Sequence, residues 1–253
     1  MVTNLYNIRN LKSACILIAT IFFATTANAQ IGLKTDLNGD DKVNISDVSN
    51  LIGLIMNRIT DDAVTEGLCP DAMHPHSIDL GLPSGAKWTC CNIGAADPFK
   101  AGGYYAWAEM YTKYSYTLNN YFYYINNSMV NIPEDIESST CDQAFILWGE
   151  DYQLPTDDFI NELYDNTTNE RVTINGVKGI IFSADNGNKI FLPAAGLKDG
   201  TSIQGSGYGY YWSAIRGTVA PYYASALFFR YDPPQVSSFE RHCGLTIRPI
   251  SWK

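Results

Sequence analysis

Gly205-Ser-Gly-Tyr-Gly-Tyr-Tyr-Trp-Ser-Ala214, the apolar run Ala224–Phe229, and Arg241-His-Cys-Gly-Leu-Thr-Ile-Arg-Pro-Ile250 are the three pieces around which this 253-residue chain is read. Glycines let the backbone turn ahead of Trp212. The pieces that follow are short and rich in aromatic and β-branched residues, which suit a pleated surface. The stretch therefore predicts the closing strands of a compact domain, with Trp212 at its centre and the earlier segments packed against it.

Working back from that stretch, the punctuation is that of hairpins. Asn175-Gly176 lies between the strand-like runs Val172–Ile174 and Val177–Phe182. That dipeptide is the strongest short hairpin signal. Asp185-Asn-Gly-Asn188 joins Ile180–Ala184 to Lys189–Leu192 in the same way, and Pro193-Ala-Ala-Gly196 leads into a glycine-rich loop. Upstream, Thr156 followed by Asp157 and Asp158 reads as a helix start, with two acids at the positive end of the dipole. Phe159, Ile160 and Leu163 would supply its buried face. Neighbouring acids on a helix do not face each other, so this pair suits capping and not acid/base chemistry. Ser138–Trp148 predicts a shorter helix. Gly102–Glu109 and Lys87–Asn92 read as strands, the alternation Ile78, Leu80, Leu82 marks the start of the domain, and Tyr111–Asn131 reads as a long Tyr- and Asn-rich surface loop. Trp107, Trp148 and Trp212 are expected in the core.

The N-terminus is a targeting segment. Arg9 and Lys12 precede the apolar run Ala14–Phe23, and Ala27-Asn28-Ala29 is a small-residue cleavage signal. The apolar run is shorter than the roughly 20 residues that a membrane span needs. The expectation is export, as a secreted, periplasmic or cell-surface protein with no transmembrane span after cleavage. Loss of Arg9 and Lys12 takes the formal charge from −9 to −11. An acidic chain disfavours nucleic acid and anionic membranes as partners.

Five cysteines follow residue 29: Cys69, Cys90, Cys91, Cys141 and Cys243. An odd number cannot all pair within one chain. Buried free thiols, with room for one bridge, are the expectation. Cys90 and Cys91, adjacent on a strand, would point to opposite faces, so at most one would face the core.

Asp36-Leu-Asn38-Gly-Asp40-Asp41-Lys42-Val-Asn44-Ile-Ser-Asp47 is the most specific motif. A hard cation needs several oxygens at once, and here they fall at loop positions 1, 3, 5, 9 and 12. Asp36, Asn38 and Asp40 would ligate Ca2+ through side chains, Lys42 through its carbonyl, Asn44 through water, and Asp47 as the closing acid. Asp41 stands where such loops usually carry glycine. A helix over 46–57 follows, with Ile45, Val48, Leu51, Ile52 and Ile55 on one face. Loop and helix together resemble one repeat of a dockerin module. Dockerins carry two repeats; one is present here, and only its calcium ligands carry over. The lone apolar stripe would pack on the C-terminal domain or on another molecule. Residues 60–76 read as a linker. His74-Pro-His76 offers two imidazoles and no third ligand, which leaves a solvated linker as the reading.

The remaining motifs agree in order with one family. Asp79-Leu-Gly-Leu-Pro-Ser-Gly-Ala-Lys-Trp88, Asn92-Ile-Gly94, Tyr104-Tyr-Ala-Trp107, Leu154-Pro-Thr156, Phe191-Leu-Pro193, Tyr211-Trp-Ser213 and Gly244-Leu-Thr-Ile-Arg-Pro249 resemble the Fibrobacter-type major paralogous domain, common in secreted proteins of gut Bacteroidetes. The resemblance covers about residues 77–253 and implies an α+β, C-type-lectin-like fold: two helices with a twisted, mostly antiparallel set of short strands. The organisation expected is a signal peptide over 1–29, a dockerin-like calcium loop-helix over 30–59, a linker over 60–76 and the C-type-lectin-like domain over 77–253.

Chemistry is sparse in that domain. The Glu-Pro-Asn, Gln-Pro-Asp and Trp-Asn-Asp signatures of calcium-dependent lectins are absent. The formylglycine-generating enzymes, which share the implied fold, hold copper with two thiolates near the C-terminus; only Cys243 lies there. The first reading is a non-catalytic binding or adhesion protein that contacts a glycan or protein partner, with Tyr208, Tyr222, Tyr223 and Arg241 as contacts. The second is an assembly module docking through the calcium loop-helix. The third is an enzyme of the formylglycine-generating type, which lacks its second ligand.

Overall fold

The computed structural model describes residues 77–217, 221–230 and 233–252. The segment 1–29, the calcium loop-helix 30–59 with Asp36, Asn38, Asp40, Lys42 and Asp47, and the linker 60–76 lie outside the described residues. Among the described residues no helix is long and apolar enough to cross a membrane.

The fold is α+β and dominated by short strands. In chain order these are β1 (Ser77–Ile78), β2 (Lys87–Thr89), β3 (Tyr124–Ile125), β4 (Ser128–Met129), β5 (Tyr152–Gln153), β6 (Thr168–Ile174), β7 (Val177–Ser183), β8 (Lys189–Pro193), β9 (Leu197–Asp199), β10 (Ser202–Gln204), β11 (Gly209–Arg216), β12 (Tyr223–Phe229), β13 (Gln235–Glu240) and β14 (Ile250–Ser251). Among the described residues two α-helices, α1 (Gln143–Trp148) and α2 (Asp157–Asp165), and a 3-10 turn at Leu118–Asn120 interrupt them. The strands form a four-stranded sheet in the order β1-β2-β14-β5, the three-stranded sheets β11-β12-β13 and β6-β7-β8, and the ribbons β9-β10 and β3-β4. Every strand pairing among these is antiparallel. β14 inserts between β2 and β5, so Ile250 sits opposite both Trp88 and Gln153, and the last described strand closes the sheet that β1 opens.

The organising role read into 205–250 has a physical basis. Along β11, Tyr210, Trp212 and Ala214 belong to one hydrophobic core, together with Trp107, Leu245 and Ile247. Tyr211 points the other way, into a second core with Trp88, Ile160, Leu163, Phe182 and Ile250. β12 divides likewise, Ala224 and Ala226 to the first core and Leu227 and Phe229 to the second. The period-2 alternation of a strand thus feeds a core on each face. Trp212 is fully buried and its indole N–H donates to the Tyr105 carbonyl at 2.7 Å. Trp107 is equally buried and donates to Ser213 O at 2.9 Å. Each indole needs such an acceptor when removed from water.

The hairpins form where the sequence places them. β6 and β7 pair from Thr168↔Ser183 to Ile174↔Val177. Asn175 and Gly176 both carry positive φ, 52° and 80°, as the tight turn between them requires. The Asp185–Asn188 turn joins β7 to β8. Helix α2 starts at Asp157 as expected, but the Thr156 hydroxyl makes no capping hydrogen bond. Ile160 and Leu163 are buried and Phe159 is half-buried against Trp252. Helix α1 begins later than Ser138. Its cap is Asp142, whose two carboxylate oxygens accept backbone N–H bonds from Ser138, Ala144, Phe145 and Leu154.

Four expectations are corrected. Gly102–Glu109 is not a strand. Gly103 N–H donates to Ile93 O, while Tyr105 and Trp107 donate to Leu245 and Arg241; a ladder through Tyr105↔Leu245 would pair Trp107 with Cys243, so none builds beyond that single bridge. Strand β2 stops at Thr89, whose hydroxyl reaches the Cys91 carbonyl two residues on and pulls the backbone out of line. Cys90 and Cys91 consequently leave the strand geometry, and both are buried, in a small cluster with Ala95 beside Ile78 and Trp148. Trp148 is half-buried at the edge of the first core. No disulfide links Cys90, Cys91, Cys141 or Cys243 to one another.

Candidate functional site

The segment 111–131, expected as a surface loop, is built on a buried charged and phenolic frame. Glu109 is buried and its Oε1 accepts from Lys113 Nζ at 2.7 Å and from the Phe122 backbone N–H at 2.5 Å. Lys113 Nζ also donates to Asn120 O at 2.8 Å. Burying this pair is tolerable because Oε1 takes two hydrogen bonds and Oε2 faces the Lys113 ammonium at 2.5 Å. Tyr116 and Tyr121 are fully buried, not exposed. Tyr116 OH donates to Tyr104 O, and Tyr121 OH to Trp107 O at 2.8 Å. Removal from water pushes the Tyr121 phenol well above its ordinary range, so it remains a neutral donor.

On this frame stands the β3–β4 hairpin. Its tip is Asn126-Asn127, with φ of 52° and 59°, the backbone of a two-residue hairpin turn. Phe122, Ile125 and Val130 on and beside it are exposed to solvent at 50%, 52% and 37%. Tyr124 meets Tyr222 with ring centroids 6.4 Å apart, and Tyr222 is itself 37% exposed. The hairpin meets the turn at Pro221–Tyr222 through the Tyr124–Tyr222 contact, and Phe122, Ile125 and Val130 leave apolar surface exposed on and beside it.

The four contacts read from sequence do not make one patch. Arg241 is corrected: it is fully buried. Its guanidinium lies over the rings of Trp107 and Tyr121, 4.9 and 5.3 Å from their centroids. Nε donates to Tyr121 OH at 3.0 Å and Nη1 to Pro221 O at 2.8 Å. Its backbone N–H donates to Tyr222 O at 2.8 Å. Arg241 therefore positions the Tyr222 turn from inside and touches no solvent. Tyr223 opens β12 opposite Glu240 and is half-buried. Tyr208 precedes β11, half-buried under the Arg230 guanidinium at 5.0 Å. Gly209 pairs with Phe229 and Arg216 with Ala224, so Tyr208 and Tyr223 lie at opposite ends of the β11–β12 hairpin, about 20 Å apart along a strand of this length. Tyr222 is the one candidate that meets the hairpin, at Tyr124.

Sequence reading missed Phe122, Tyr124, Ile125 and Val130, because 111–131 shows no period. The Asn126-Asn127 dipeptide between Tyr124-Ile125 and Ser128-Met129 was the signal available. The acid pair divides: Asp158 is exposed, while Asp157 Oδ1 accepts from Ser213 Oγ at 2.6 Å and ties α2 to β11. Partial burial raises the Asp157 carboxyl above its usual range, against the pull of Ser213 and Ser225. No family model, no curated protein and no solved structure matches the chain.

Proposed function

We propose that this chain is an exported, non-catalytic binding or adhesion protein. Its C-terminal part is a C-type-lectin-like domain of the Fibrobacter-type family, and it presents the β3–β4 hairpin and the Tyr222 turn to a glycan or protein partner. The observation that carries the reading is the exposure of Phe122, Ile125 and Val130 on and beside a hairpin braced by the buried Glu109–Lys113 pair, with the exposed Tyr222 against its Tyr124. Aromatic side chains held this way offer large contact area at small entropic cost, because their rotamers are set before binding. Ahead of the domain, the loop Asp36–Asp47 holds Ca2+ through Asp36, Asn38, Asp40, Lys42 and Asp47, and its helix supplies an apolar stripe to the domain or to a scaffold.

The test uses Phe122→Ala, Ile125→Ser and Tyr222→Ala in the full chain, each checked for a native near-UV spectrum, on glycan arrays and on whole cells. Loss of at least tenfold in binding, about 1.4 kcal/mol, is the expected result for the triple variant. Binding that survives it but disappears in Asp36→Ala/Asp40→Ala moves the contact surface to the calcium module. Turnover of a peptide thiol by the wild-type chain would reject a non-catalytic role.

A further inference from the structure

The turn after β13 places three kinds of metal-ligating side chain together. Lys198 and Gly244 exchange both backbone hydrogen bonds of an antiparallel bridge, at 2.8 and 2.9 Å. That bridge sets Asp199 directly across from Cys243, and side chains so paired have Cβ atoms about 5 Å apart. Cys243 N–H donates to Glu240 O at 3.0 Å, which closes the turn and brings His242 beside Cys243. One ligand atom each from Asp199, His242 and Cys243 lies within 4.8 Å of the other two. Glu240 adds a second carboxylate, its Oε2 3.7 Å from His242 Nε2. Burial is graded: Cys243 is buried, His242 half-buried, Asp199 and Glu240 exposed. A sulfur floor with an open carboxylate rim gives an ion a way in.

We propose that Asp199, His242 and Cys243, with Glu240 at the rim, bind one zinc-class divalent ion. The donor set selects the class. Thiolate and imidazole favour Zn2+ and its neighbours, whereas Ca2+ and Mg2+ take oxygen alone. Zinc bonds to these atoms run about 2.0–2.3 Å, so tetrahedral ligands stand roughly 3.5 Å apart. From separations of at most 4.8 Å, the cluster closes to that spacing by no more than about 1.3 Å per pair. Without an ion, the Cys243 thiol is pushed up to about 12 by burial and by the Asp199 and Glu240 charges. His242 is lowered, by burial first, against the pull of Glu240 and Asp199 and with a contribution from the Lys113 cation. That direction favours the neutral imidazole, the form that ligates. The thiol ionises as the ion arrives, and one proton per ion passes to solvent. The ion would clamp the β9–β10 ribbon to the turn that ends β13.

Co2+ is the probe, added to the reduced full chain as a spectroscopic stand-in for Zn2+. One equivalent is expected to produce a thiolate-to-metal charge-transfer band and the visible bands of a tetrahedral site. The band should persist in Cys69→Ser and in His74→Ala/His76→Ala, which remove the linker's donors, and vanish in Cys243→Ser. Asp199→Asn, at an exposed position, keeps the fold and should weaken affinity at least tenfold. The proposal is overturned by no band in the folded wild type, a band that survives Cys243→Ser or vanishes in Cys69→Ser, or an Asp199→Asn affinity equal to wild type.

Discussion

Arg248 is the position at which a single substitution should cost most. It is fully buried, and its fork reaches three segments at once: Nε donates to Asn92 Oδ1 at 2.8 Å, Nη1 to Thr89 O at 3.0 Å and Nη2 to Phe191 O at 2.9 Å. It thereby joins the end of β2, the loop at Asn92 and strand β8. Asn92 cannot compensate by flipping its amide, because Nδ2 already donates to Ala101 O at 2.8 Å. Arg248→Ala leaves three buried acceptors unpaired at about 1–3 kcal/mol each and opens a cavity, but such terms overlap, and about 4–6 kcal/mol is the net expectation. A domain of this kind has only about 5–15 kcal/mol to lose. At about 2–4 °C per kcal/mol for a chain of this size, Tm should fall by about 8–24 °C. The assay is thermal unfolding followed by near-UV circular dichroism, with urea midpoints as a check. Arg248→Met separates the causes, since it refills the space and leaves the acceptors unpaired. A Met variant as stable as wild type, or an Ala variant within about 2 °C of it, would refute the hydrogen-bond argument.

Three further outcomes follow from the same geometry. Arg241→Met should cost about 1–2 kcal/mol less than Arg248→Met in urea unfolding, because Arg241 satisfies two acceptors and its buried Nη2 has none. Gly209→Ala would set a Cβ 2.0 Å from the Phe229 ring across the β11–β12 pair, and about 1–3 kcal/mol of destabilisation is expected from that overpacking. Asp142 is raised by burial from 3.8 to about 6, despite four backbone N–H groups that pull the other way. Its proton is bound more tightly in the folded chain, so its share of stability is complete below 3.8 and is lost as pH rises through about 6. The stability difference between wild type and Asp142→Asn should shrink across that window, and a difference that grows with pH would reverse the assignment.

What the sequence determined by itself was local. Asn175-Gly176 dictates its hairpin because few other residues accept two successive positive φ angles. The aromatic and β-branched run around Trp212 predicts closing strands, and the acids after Thr156 predict a helix start, because these signals act within a few residues. What the tertiary structure decided depends on partners far along the chain. Arg241 looks like a surface contact until Trp107 and Tyr121, over a hundred residues earlier, close over it. Gly102–Glu109 has strand composition, yet its N–H groups divide between Ile93 and the 241–245 stretch, out of ladder register, and no ladder forms. Cys90 and Cys91 are both buried because Thr89 turns the backbone between strand and loop. Asp199 and Cys243 face each other only through one isolated bridge at Lys198 and Gly244, a pairing that no local periodicity encodes. Backbone torsion preferences are written residue by residue, whereas burial and hydrogen-bond satisfaction are settled only when distant segments meet.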